Sequence, residues 1–164
     1  MKGMLLALVF GALCGTSALA LDAPKGPVIL TVKGAITKTN AGDTAEFDLA
    51  MLEALPGRKA TMETPWTQGK VTFEGPLLSA VLEAVGSTGS LLSVKALNDY
   101  AAEVPAEDAE LATMLATRMD GKLMSIRDKG PLMLVYPFDK APDLYNEKYF
   151  SRSVWQIKEI EVSK

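Results

Sequence analysis

The sequence predicts an α+β fold in which strands dominate and helices are short. Three observations point there. Short runs rich in Val, Ile, Leu and Thr recur between clusters of Gly, Pro, Asn and Asp, the pattern of strands separated by turns. The clearest helical stripe lies in a single short stretch, 76–85. The connections are too irregular for the strand–helix–strand units of a doubly wound sheet.

Taken in order, Val28 to Gly34 (VILTVKG) reads as the first strand, and Thr37 to Thr44, with Asn40 and Gly42, as a turn leading into Ala45–Phe47. Asp48 is placed to cap a short helix whose Leu49, Leu52 and Leu55 recur at helical spacing, and Pro56-Gly57 ends it. Arg58 to Thr64 reads as a strand, Pro65 to Gly69 as a loop, and Lys70 to Glu74 as a short extended piece. The helix over Pro76–Val85 has proline in its first turn and Gly86 for its C-terminal cap. Leu77, Leu78, Val81, Leu82 and Val85 form its buried stripe. Leu91–Leu97 and Ala101–Val104 are strands, and Ala106–Leu111 is an acid-rich helical turn. Thr113–Met119 opens a hairpin that reverses at Asp120-Gly121, since both residues accept the positive φ of a tight turn. The loop Arg127-Asp128-Lys129-Gly130 precedes a buried strand, Leu132–Tyr136. Phe138–Arg152 reads as a long loop. Val154–Val162 closes the chain as a strand, with a bulge near Lys158-Glu159 because the apolar parity changes there.

Residues 1–20 read as a cleaved export signal rather than as part of the fold. Lys2 precedes an apolar run from Met4 to Leu13, too short to span a bilayer, and Ala18-Leu19-Ala20 is a small-x-small cleavage site. Cys14 does not suit a lipid anchor, because Leu13 stands where a small residue is expected. The expected product, residues 21–164, has the size of one domain, is periplasmic or secreted, and has no membrane-inserted segment after cleavage. The net charge is −3, and one unit more negative without Lys2, which gives no general attraction for nucleic acid. Beyond Cys14 there is no cysteine, and histidine is absent throughout. Thiolate and imidazole ligands are therefore missing from residues 21–164, and so is the commonest general base. Ser79, Ser151 and Ser153 consequently have no histidine to activate them.

Several motifs in sequence resemble the molybdopterin-binding domain of sulfite-oxidase-type oxidoreductases. Leu115-Ala116, Asp120-Gly121, Arg127-Asp128-Lys129-Gly130 and Leu132–Pro137 are similar to that family's strand, turn, Arg-Asp-His-Gly-type loop and proline-ended strand. Tyr100-Ala101-Ala102-Glu103-Val104-Pro105 is similar to its Tyr-x-Ala-Ser-Ile-Pro segment, Gly75-Pro76-Leu77-Leu78 to its Gly-Val-x-Leu helix start, and Val154-Trp155-Gln156-Ile157 to its closing Lys-Trp-Leu strand. The resemblance implies a mixed, β-rich molybdopterin-binding-type domain with short helices. It also implies a cysteine after the third strand that ligates molybdenum, yet Met62-Glu63-Thr64-Pro65-Trp66 contains none. Lys129 stands in place of the family's loop histidine and Met133 in place of a following arginine.

Five residues are candidates for a shared concave face: Trp66, Tyr100, Arg127, Lys129 and Arg152. By the resemblance, Tyr100 stands where the family faces a tyrosine toward the metal's oxygen ligands. Arg127 and Lys129 suit an anion such as a phosphate, against the alternative of a solvated loop. Trp66 suits a ligand contact, against a lid over the core. Trp155 reads as core, and Glu103, Glu107, Asp108 and Glu110 as a solvated acidic turn. The resulting expectation is a binding module without molybdenum catalysis, holding a small anionic or pterin-like ligand or serving a membrane sensor protein. No cofactor is expected, and molybdopterin enters only through the resemblance. The alternatives are an oxidoreductase that holds molybdopterin without a protein thiolate, and a structural or assembly partner.

Overall fold

A computed structural model describes residues 20–164; the expected export signal and Cys14 lie outside the described residues, except for Ala20. The elements run β1 (Val28–Gly34), β2 (Ala45–Asp48), α1 (Leu49–Glu53), β3 (Gly57–Met62), β4 (Val71–Pro76), α2 (Leu78–Ala84), β5 (Leu91–Ala96) and β6 (Ala101–Pro105). They continue with a 3₁₀ turn (Ala106–Leu111), β7 (Met114–Ala116), β8 (Arg118–Met119), β9 (Lys122–Leu123) and a second 3₁₀ turn (Ile126–Asp128). The last are β10 (Met133–Val135), a third 3₁₀ turn (Pro142–Leu144), α3 (Glu147–Arg152) and β11 (Ile157–Ser163).

Three sheets result. The largest has the order β2-β1-β11-β5-β6, with β1 and β11 parallel and the other pairs antiparallel. A second has the order β3-β4-β8-β9, and β7 pairs with β10 in a third. The alternation of the strands aims Leu30 and Val32 of β1, Leu92 and Val94 of β5, and Ile160 and Val162 of β11 into the core. Leu78, Val81, Leu82 and Val85 of the α2 segment belong to the same core cluster, each contributing roughly 1.5–3 kcal/mol by burial. Chain reversal at Asp120 (φ 51°) and Gly121 (φ 77°) is the expected left-handed hairpin turn. Gly75 serves close approach: a Cβ there would lie 2.0 Å from the Leu115 carbonyl oxygen.

The Asp48 cap forms as expected, its carboxylate accepting from the Met51 N–H at 2.9 Å. It also accepts from the Lys25 and Gly26 N–H groups, both at 2.8 Å, and so ties the lead-in segment to the sheet. These backbone donors, Met51 first, then Gly26 and Lys25, hold its pKa below the usual carboxylate value.

Four expectations need correction. The helix begins at Leu78, because Pro76 still pairs with Gly57 as the end of β4. Phe138–Arg152 is not an open loop. It contains the third 3₁₀ turn and α3, whose Asn146 cap accepts from the Lys148 N–H; six residues are too few to display a helical stripe. The closing strand starts at Ile157, because Gln156 adopts φ 54° and breaks the extended run, although the bulge between Ile157 and Glu159 is present. The acidic turn is not wholly solvated, since Asp108 is only 4% exposed.

Candidate functional site

The break at Gln156 decides the fate of its neighbour. Trp155 makes a bridge to Met133 but is 38% exposed, so it is not the core residue its apolar surroundings suggest. Its indole instead meets Trp66 edge-on at 5.6 Å between ring centroids, and Trp66 meets Phe150 edge-on at 5.9 Å. Three segments bring these rings together: the loop after β3, α3, and the irregular run between α3 and β11. Tyr100, 54% exposed at the turn between β5 and β6, adds a fourth aromatic wall. Together they border a groove of about 460 Å³ whose polar lining includes Asn98, Glu147, Ser151 and Gln156. Both tryptophans of the protein therefore face one site.

Of the five candidate residues, the structure brings Trp66 and Tyr100 together in the groove. Lys129 stands beside it, its ammonium 5.4 Å from the Trp155 ring centroid in a cation–π contact. Arg127 is exposed and does not line the groove. Its loop is closed on itself: the Ser125 hydroxyl donates to the Asp128 carboxylate at 2.7 Å, and the Gly130 N–H donates to the Ser125 carbonyl at 2.7 Å. Arg152 turns away from the groove, donating to the Asp108 carboxylate at 2.9 Å.

That carboxylate forms the centre of a buried cluster. The same oxygen accepts from the Tyr136 hydroxyl at 2.7 Å. Burial first, and then the bond to Asp108, push the Tyr136 pKa far above its ordinary value, so its hydroxyl stays a donor. Tyr149 packs edge-on against Tyr136 at 5.1 Å and lies under the Arg152 guanidinium, 5.6 Å from its ring centroid. Sequence reasoning missed this cluster because nothing in AEDAEL marks one acid of three for burial. A fixed spacing to Tyr136 and Arg152 carries no signal either, since the residues lie 28 and 44 positions apart.

The sequence pattern of the oxidoreductase molybdopterin binding domain family matches residues 43–164. The chain belongs to that family. No curated protein matches the chain. Among solved structures, the sulfane dehydrogenase SoxCD from Paracoccus pantotrophus superposes with a TM-score of 0.64 at 18% identity, over 88% of this chain and 40% of that one. At that identity the likeness shows the fold, a mixed β-rich molybdopterin-binding-type domain. The chain spans well under half the length of that relative.

Whether the metal of such a cofactor suits these residues is a question of donors. In the stretch 62–66 the Thr64 side chain is buried and its hydroxyl shares a hydrogen bond with the Thr67 hydroxyl at 3.0 Å, while Glu63 is exposed. A hydroxyl and a carboxylate do not reproduce a soft thiolate. Among the described residues no group of three or more His, Cys, Asp or Glu side chains is placed to hold a metal ion. A molybdenum centre anchored by a protein thiolate does not fit this donor set. The aromatic walls of the groove offer apolar contact surface instead.

Proposed function

We propose that the protein is an exported binding module: a molybdopterin-binding-type domain that holds a planar, pterin-like ligand without carrying out molybdenum chemistry. The observation that carries this reading is the open aromatic groove beside a loop with no soft donor atom. Stacking on Trp66, Trp155 and Tyr100 supplies affinity to a flat ring, worth roughly 1–3 kcal/mol per stacked ring. The Ala18-Leu19-Ala20 site supports export, with the mature chain beginning at Leu21. A sensory role beside a membrane protein follows if ligand occupancy is read by a partner at the rim of the groove.

Family membership favours a second reading, an oxidoreductase that binds molybdopterin without a protein thiolate. Elemental and pterin analysis of protein exported by its native host separates the two. The binding-module reading expects no stoichiometric molybdenum and a bound or readily exchanged planar ligand. Near-equimolar molybdenum with pterin would establish the oxidoreductase instead.

A further inference from the structure

We propose that the outer edge of β3 pairs with the same edge of a second copy of this chain. The two strands run antiparallel about a two-fold axis at Thr61, so that two β3-β4-β8-β9 sheets join into one. No residue of β3 lines the aromatic groove, and the pairing is independent of what the groove binds.

The backbone of β3 leaves one side open. The Leu77 N–H donates to the Pro56 carbonyl at 3.0 Å, and from there β3 faces β4 in unbroken register, Gly57 opposite Pro76 through Met62 opposite Val71. In an antiparallel ladder successive residues direct their N–H and C=O groups alternately toward and away from the neighbour. Arg58, Ala60 and Met62 therefore bond to β4. Gly57, Lys59 and Thr61 direct theirs outward, where no partner meets them among the described residues, and all three residues are exposed. The other outer strands of the two larger sheets are protected. Asn40 closes β2 by donating to the Glu46 carbonyl at 2.9 Å and accepting from its N–H at 2.8 Å. Helix α3 packs against β6, and β9 is only two residues long. An open, regular edge of six residues is a template for another strand.

The side chains select the occupant. Along the exposed face the order is Lys59, Thr61 and then Glu63, which follows the strand by one residue and is also exposed. This pattern is complementary to itself when reversed. An axis at Thr61 sets Lys59 opposite the partner's Glu63, Glu63 opposite the partner's Lys59, and the two threonines opposite each other. Directly facing opposite charges and threonine pairs both favour strand pairing. Shifting the register by two residues, to an axis at Lys59, would set two ammonium groups against each other. Within its own chain Lys59 meets Glu74 at 2.9 Å, an exposed pair whose loss costs little.

Charge exchange tests the register. Sedimentation velocity of the purified protein over a range of concentrations is expected to show a monomer–dimer equilibrium. Lys59→Glu alone and Glu63→Lys alone should each weaken the dimer at least about tenfold, because both facing pairs become like-charged. Mixing the two single variants should restore dimers, as should the double variant, since opposite charges then face each other again. Thr61→Pro removes an outward N–H, a change that edge strands tolerate, and should abolish the dimer with the far-UV circular dichroism spectrum unchanged. If that variant does not fold, the charge exchange decides alone. A monomer at every concentration overturns the proposal. So does a dimer that survives folded Thr61→Pro, or a charge loss that neither mixing nor the double variant repairs. A monomer that captures a different protein through β3, lost in Thr61→Pro, would also overturn it and assign the edge to a foreign strand.

Discussion

The aromatic groove and the Asp108 cluster draw on the same stretch of chain, from Glu147 to Trp155, and treat its polar residues in opposite ways. On one side Arg152 and Tyr149 join Asp108 and Tyr136 in a closed set, where the carboxylate, the guanidinium and the hydroxyl all have partners. On the other, Phe150 and Trp155 stand open with Trp66 and Tyr100, and the Glu147 carboxylate has no partner. Both sides combine aromatic rings with one carboxylate. Satisfaction of the polar groups separates a fastening from a site, because a paired buried charge holds chains together whereas a free group at an aromatic groove has binding capacity to spare.

This contrast can be tested, beginning where the effect is largest. Asp108→Ala should destabilise the protein by about 3–5 kcal/mol, since it strands a half-buried guanidinium and a buried hydroxyl together. Urea denaturation followed by far-UV circular dichroism measures it, and a loss under 1 kcal/mol would mean that the cluster does not fasten α3. Tyr136→Phe should cost less, about 1–2 kcal/mol, because Asp108 keeps Arg152 as a partner. An equal cost for the two variants would remove the distinction between the centre of the cluster and its periphery.

At the groove, Trp155→Ala should change stability by under about 1.5 kcal/mol, since the ring is already partly exposed, while weakening a stacked ligand by about 1–3 kcal/mol. Stability and binding are thus expected to move separately here and together at Asp108. Acid offers a related check. The Asp48 pKa lies lower in the folded than in the unfolded state, so its contribution is present above pH 3.8 and is lost as pH falls through the lower folded value. Asp48→Asn should flatten the stability–pH curve below about pH 4, a change that thermal melts across pH 2–6 can detect. The smallest effect is expected from Arg127→Gln, about 0–0.5 kcal/mol in stability with ligand affinity unchanged. A clear affinity loss there would place Arg127 back at the site.

Much of the fold was legible because local rules agreed with it. The β1 run, the Asp48 cap, the Asp120-Gly121 reversal and the bulge in β11 each follow from propensity, capping or parity within a few residues. The run of motifs from Gly75 to Ile157 also pointed to the family that the sequence pattern shows. Of the groove, Trp66 was visible as an aromatic residue in a loop, and Tyr100 through the family resemblance. Trp155 and Glu147 were not, the first because a single left-handed residue at Gln156 cancels the strand parity on which its burial was judged.

By itself, then, the sequence determined the kind of domain and the chemistry open to it: strand-rich, mildly acidic, and without thiolate or imidazole in residues 21–164. Those properties depend on composition and on neighbours along the chain. Tertiary structure decided how the charges are used. Asp108 lies 44 positions from Arg152 and captures it, which removes from the groove a cation that the sequence offered as a ligand contact. Nothing local distinguishes Asp108 from the acids on either side. The choice follows from burial, because a carboxylate withdrawn from water must find donors, and the fold supplies them from Tyr136, just after β10, and from Arg152 at the end of α3.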